Sequence, residues 1–246
     1  MEDWRKLGKE ELEHQYSPSH WSHRMDKDAV IEAHVKEMTE GTNLSRVVAR
    51  TALDIQYGDS DSEKMDLYLP GGEPASDMDL IVAQVRRSVA SIFRLYPHNT
   101  GIYLCGHSAG AQLVAMTLCT DWTEYKVTPD IKGALLVSGV YDLLPIIDTY
   151  VNDALKMSLE VALKNSPMQY VRQMNAGRCR VAIAVAEHDS PEFHRQSQQY
   201  FQSLKESGLG VSYVLVDGTD HFDVIEKLSQ EDYVLTQLIL KMILEQ

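Results

Sequence analysis

The chain has 246 residues, 44% of them apolar, and a formal charge of −13, a size that suits one α/β domain with a continuous core. Such acidity argues against nucleic acid or an anionic membrane surface as partner. No apolar stretch reaches the length of a membrane span, and the N-terminus lacks a signal-peptide core. In chain order, residues 26–39 read as a helix stopped at Gly41. Leu53 to Tyr57 and Met65 to Leu69 read as short strands joined by a polar loop, hence a hairpin. Residues 77–96 form a long helix whose Leu80, Ile81, Val85, Val89, Ile92 and Phe93 recur at helical spacing and end before Pro97. Strands follow at Ile102 to Cys105, Gly133 to Ser138, Arg180 to Ala186 and Val211 to Val216. Between them lie helices at Ala111 to Leu118, over residues 150–164 (placed to cover a site), and from Pro191 to near Gly208, with Ser190 as N-cap. An amphipathic terminal helix contains Leu228, Leu235, Leu238 and Ile243.

One junction dominates. Gly106-His107-Ser108-Ala109-Gly110 stands between an apolar strand and a helix. That is the strand–turn–helix setting in which G-x-S-x-G holds a serine hydroxyl at the top of an α/β-hydrolase sheet. Side chains at Gly106 and Gly110 are expected to collide with their surroundings in so sharp a turn. A serine hydroxyl needs a base to take its proton and a carboxylate to orient that base, in the chain order Ser, Asp or Glu, His. Asp189 lies in the loop after the strand ending at Ala186, where α/β sheets place their active sites. His221 lies just beyond the strand ending at Val216. Asp142, Glu187, Asp217 and Asp220 are rival carboxylates, and Asp142 comes one strand too early. His107, His188 and His194 read as surface or packing residues. The histidines and the three cysteines show no metal-ligand spacing. No metal or cofactor is expected, and cysteines without a pairing framework fit a reducing compartment.

With these residues in place, the chain resembles the kynurenine formamidase (arylformamidase) family, an α/β-hydrolase branch near the hormone-sensitive-lipase-like esterases. The resemblance runs through Tyr16-Ser-Pro-Ser-His-Trp21-Ser-His-Arg24, the hairpin to Pro70, and the stretch Gly101 to Gly110. It continues through Val137-Ser-Gly-Val-Tyr-Asp142, Asp189-Ser-Pro-Glu-Phe-His-Arg-Gln196 and Asp220-His-Phe222. It implies a single α/β-hydrolase domain over 1–246: a helical extension at 1–50, then a hydrolase core at 51–246. It also implies a three-layer sandwich with a mostly parallel sheet and an antiparallel hairpin. Carried over by position, Ser108 is the nucleophile, Asp189 the orienting acid and His221 the base. The substrate implied is N-formyl-L-kynurenine or an aryl formamide, split into amine and formate in tryptophan breakdown without a cofactor. The family works in the cytosol and in some members the nucleus, often as a homodimer. Tyr141 and Tyr150 are weak candidates for aromatic contact with substrate and read more readily as packing residues.

The chain departs from the family in one respect. Members carry a His-Gly-Gly-x-Trp motif after the third strand, whose N–H groups form most of the oxyanion hole. No such motif occurs here, and Gly71-Gly72 reads as a turn. By that comparison roughly 50 residues, including strands 3 and 4, are missing ahead of the serine elbow. In the family order 1-2-4-3-5-6-7-8 their loss uncovers the nucleophile strand, so the hairpin must move across or the sheet stays open. Ala109 keeps its N–H for the oxyanion, but losing one such donor costs about 10²–10³ in turnover. Two other readings stand beside formamidase: a general short-acyl carboxylesterase, and a non-catalytic, internally deleted variant.

Overall fold

The computed structural model describes residues 4–48, 51–57, 64–68, 78–174 and 179–244. Helices α1 (Lys9–Gln15) and α2 (Lys27–Val48) precede the hairpin strands β1 (Thr51–Gln56) and β2 (Lys64–Tyr68), then α3 (Met78–Leu95). Next come β3 (Ile102–His107), α4 (Ala109–Leu118), β4 (Ile131–Val137) and the short α5 (Asn152–Leu155) and α6 (Leu159–Lys164). The chain ends with β5 (Arg180–Ala186), α7 (Pro191–Glu206), β6 (Val211–Val216), α8 (Asp223–Glu226) and α9 (Val234–Leu244). Strands β3, β4, β5 and β6 pair in parallel in that order, while β1 and β2 pair antiparallel in a sheet of their own.

The parallel sheet follows from composition. β4 and β5 are almost unbroken apolar runs, as strands covered on both faces must be. Ala134, Leu136, Val181 and Ile183 pack with Ala111 and Val114 of α4 and with Tyr200 and Leu204 of α7. Their alternate neighbours Leu135, Val137, Ala182 and Ala184 pack with Val224, Leu235 and Met242 of α8 and α9. The two-residue side-chain period thus generates the three layers. Leu12 and Tyr16 join a third cluster with Val140, Met157, Ala162 and Phe193, which seats the N-terminal stretch on the core. Among the described residues, no helix is long and apolar enough to cross a membrane.

Beside the strand that leads into Ser108, the sheet stays open among the described residues. Among the described residues β3 pairs with β4 alone, and the hairpin does not cover its free edge. Leu135, Leu136 and Val137 of β4 are buried, whereas β3 is half-buried and Cys105 is exposed. Gly71-Gly72 lies outside the described residues.

Three expected elements differ. Leu228 lies in a 3-10 turn (Lys227–Ser229) ahead of α9, not in the terminal helix. Helix α2 runs through Gly41 to Val48, because a glycine costs a helix about 1 kcal/mol and does not by itself stop one. The helix expected over 150–164 is two short ones, broken at Lys156, which has φ 50° and ψ 37°. The Asn152 side chain causes the break. Its amide donates to the carbonyls of Ile147 and Met157 and accepts from the Met157 N–H, giving the backbone a looped alternative to helix.

Candidate active site

Ser108 sits between β3 and α4 with φ 54° and ψ −120°, a conformation that side-chain-bearing residues rarely adopt. Its N–H donates to the Val137 carbonyl at 2.9 Å, tying the turn to β4. A Cβ on Gly106 would lie 2.2 Å from the Gly110 carbonyl oxygen, so only glycine fits there. The same does not hold for Gly110, where a Cβ would meet open space. Ala109 is exposed and begins α4, so its N–H has no acceptor within the helix and stands at the positive end of the helix dipole.

The candidate acid and base come from neighbouring loops. β5 and β6 end level, Ala186 opposite Val216, so the chains that leave them run side by side. The Glu187 N–H donates to the Val216 carbonyl and the His188 N–H to the Thr219 carbonyl, extending that pairing into the loops. Asp189 and His221 meet as a result. Nδ1 of His221 lies 2.6 Å from Asp189 Oδ1, and both side chains are buried. Donation of Nδ1–H to the carboxylate leaves the lone pair on Nε2, the tautomer a general base needs. The other oxygen, Asp189 Oδ2, accepts from Ser138 Oγ at 2.5 Å and from the Ala186 N–H at 3.1 Å. Burial alone would push the Asp189 carboxyl up. The His221 charge and the hydrogen bonds from His221, Ser138 and Ala186 outweigh it and hold the group below the usual carboxylate range.

The His221 ring packs between His107, at 4.6 Å between centroids, and Phe193, at 4.8 Å. His107 directly precedes Ser108, so this contact brings His221 to the elbow. No hydrogen bond joins Ser108 Oγ to His221 in the structure; such bonds commonly tighten only when substrate is bound. Burial, then the neighbouring His221, pushes the His107 imidazole down to about 3, which keeps it neutral and suits a packing role.

None of the rival groups reaches His221. Asp142 Oδ1 accepts from the Leu144 N–H, and Glu187 Oε2 from the Gly218 N–H. Asp220 is ion-paired to Arg24, and His188 lies against the ring of His23. His194 Nε2 is 3.2 Å from the Glu187 carbonyl oxygen. Tyr141 is fully buried and stacked on Tyr200, so it belongs to the core rather than to a substrate surface. Tyr150 is exposed, and its hydroxyl accepts from Ser17. Sequence reasoning missed Ser138, although its position just after β4 placed it at the same sheet edge. It also missed Arg24, which no local pattern connects to a loop almost 200 residues away.

No family model matches the chain. Kynurenine formamidases of Danio rerio and Salmo salar are each 46% identical to it over 290 aligned positions, spanning 99% and 98% of this chain and 99% of each relative. Set against 246 residues, 290 positions leave at least 44 that this chain does not fill, a shortfall of the size expected from the absent oxyanion segment. Among solved structures, a Silicibacter sp. TM1040 protein provisionally described as a thioesterase superposes with a TM-score of 0.73 at 21% identity. The match covers 94% of this chain and 99% of that one. Esterase B of Lactobacillus rhamnosis superposes with a TM-score of 0.61 at 12% identity, over 87% and 92% of the two chains. These likenesses establish the fold, and the two near-full-length relatives establish more: the chain belongs to the kynurenine formamidase family of α/β-hydrolases.

Proposed function

We propose that this chain hydrolyses N-formyl-L-kynurenine to L-kynurenine and formate, with Ser108 as nucleophile, His221 as base and Asp189 as the acid that orients it. The observation that supports this most directly is the 2.6 Å His221–Asp189 hydrogen bond set against the strained Ser108 elbow. His221 Nε2 takes the Ser108 Oγ proton as the oxygen attacks the formyl carbon, and the carbonyl oxygen becomes an oxyanion facing the Ala109 N–H. Collapse breaks the C–N bond, and His221 returns the proton to the departing aryl amine. Water, deprotonated by His221, then attacks the formyl ester, releasing formate and restoring Ser108. No cofactor enters these steps. The three free cysteines suit the cytosol as place of action.

The open β3 edge favours a slower enzyme than its full-length relatives, because Ala109 is the one oxyanion donor assigned among the described residues. Formate release by the purified chain, measured beside Ser108→Ala, tests the proposal. Turnover lost in the variant supports it. A folded chain that releases no more formate than the variant supports the non-catalytic reading instead.

A further inference from the structure

Residues 15–24 touch both loops that meet at the His221–Asp189 pair. On the acid side, Ser190 Oγ donates to the Gln15 carbonyl at 2.5 Å, and the Glu192 N–H donates to Gln15 Oε1 at 3.1 Å. Tyr16 OH donates to Glu192 Oε2 at 3.0 Å and accepts from Gln196 Nε2 at 2.6 Å. On the base side, Ser22 Oγ donates to Asp220 Oδ2 at 2.5 Å. Arg24 donates from Nε to the same oxygen at 2.9 Å and from a terminal nitrogen to Oδ1 at 3.2 Å. In between, His23 lies against His188, the residue before Asp189, with ring centroids 4.0 Å apart.

Asp220 immediately precedes His221 and is fully buried. Its Oδ1 also accepts the N–H groups of Phe222 and Asp223, at 2.9 and 3.0 Å, while Asp223 Oδ1 accepts the N–H of Asp220 at 2.7 Å. One carboxylate therefore closes the turn on which His221 stands. A buried carboxylate needs a compensating charge, and among the described residues Arg24 supplies it with a fork across both oxygens. The sheet fixes only where the two loops begin, at Ala186 and Val216. His221 lies farther out, so its aim depends on whatever holds the turn.

We infer that residues 15–24 form a strap that sets the His221–Asp189 pair, with Arg24 a positioning residue acting on His221 through Asp220. The inference rests on the proposed roles of Ser108, Asp189 and His221 and not on the identity of the substrate. The strap explains how a chain with an open β3 edge still holds its acid and base in register: the N-terminal stretch bonds directly to both loops.

The test compares the unaltered chain with Arg24→Ala, Arg24→Lys, Asp220→Asn and the Arg24→Ala/Asp220→Asn double variant. It reads kcat and KM for formate release, the rate at which a fluorophosphonate labels Ser108, and the downfield proton NMR signal of His221 Nδ1–H. Misplacement by about 1 Å costs on the order of 10²-fold. Arg24→Ala is therefore expected to lower kcat and the labelling rate about tenfold to hundredfold, with KM little changed, and to weaken the downfield signal. Added guanidinium should restore part of the rate. Arg24→Lys should fall between, keeping the charge but not the fork. Because the two residues act as a unit, the double variant should be no slower than the slower single one.

Unchanged kcat and labelling in Arg24→Ala would overturn the inference, as would single losses that multiply in the double variant. Should Arg24→Ala fail to fold, Asp220→Asn decides, since it keeps an oxygen acceptor for the turn. A matching loss then supports the strap and an unaltered rate overturns it. Labelling that depends on Arg24 in a chain releasing no formate sinks the substrate proposal and leaves the strap standing. No labelling of Ser108 in the unaltered chain sinks both.

Discussion

The two flanks of the parallel sheet have fared differently. On the β5–β6 flank, level strand ends bring Asp189 and His221 together, and Ser138, Ala186 and the N-terminal stretch fix them from several sides. On the β3 flank, the strand leading into the Ser108 elbow has one partner among the described residues, and its Cys105 is exposed. The lesson is that the parts of the proposed triad are held independently: Asp189 and His221 rest on β4, β5, β6 and the N-terminal stretch, whereas Ser108 rests on the β3–α4 turn and its tie to β4. A β3 left uncovered among the described residues therefore leaves the Asp189–His221 pair in place.

The largest expected effect tests whether the elbow is chemically alive. Ser108→Ala should abolish fluorophosphonate labelling and bring formate release to the uncatalysed background, a loss of about 10⁴-fold or more if the flank is intact. Asp189→Asn should lower kcat by about 10⁴, because an amide at that position accepts no more than a neutral hydrogen bond and favours the wrong His221 tautomer. A much smaller loss would mean that catalysis is already limited by the β3 flank rather than by the acid–base pair.

Stability should separate the flanks as well. Leu136→Ala, in buried β4, is expected to cost about 2–5 kcal/mol, against at most about 0.5 kcal/mol for Cys105→Ser at the exposed position of half-buried β3. Thermal melting reads both. A large cost for Cys105→Ser would show the β3 edge to be covered in solution.

In pH dependence the flanks should titrate in different windows. The folded value for His107 is about 3, against 6.5 for the free imidazole, so the unfolded chain takes the proton first. Stability from keeping this ring neutral is complete above pH 6.5 and is lost as pH falls from there toward 3. Burial raises the Asp220 carboxyl, but its bonds from Arg24 and Ser22 more than reverse that and hold it below its ordinary value. Its contribution is therefore complete above about pH 4 and is lost as pH falls further. Melting curves of His107→Gln should flatten between pH 6.5 and 3, and those of Asp220→Asn only below about pH 4. Identical profiles for the two would erase the distinction.

The sequence by itself determined the β4, β5 and β6 strands and the Ser190–Pro191 start of α7, and it named the turn at Ser108 with Asp189 and His221 as candidates, the last two of which the structure brings within 2.6 Å of each other. Each is a local pattern: an apolar run, a cap or a loop at a strand end. It also registered the missing oxyanion segment, since a motif is either in the chain or not. Only the tertiary structure decided that the hairpin leaves β3 uncovered among the described residues, that Gly41 lies within a helix and that Tyr141 is core. It alone placed Ser138 on Asp189 and Arg24 on Asp220. These depend on contacts between residues far apart in the chain, where burial and a single buried carboxylate choose the partner and no periodicity records the choice.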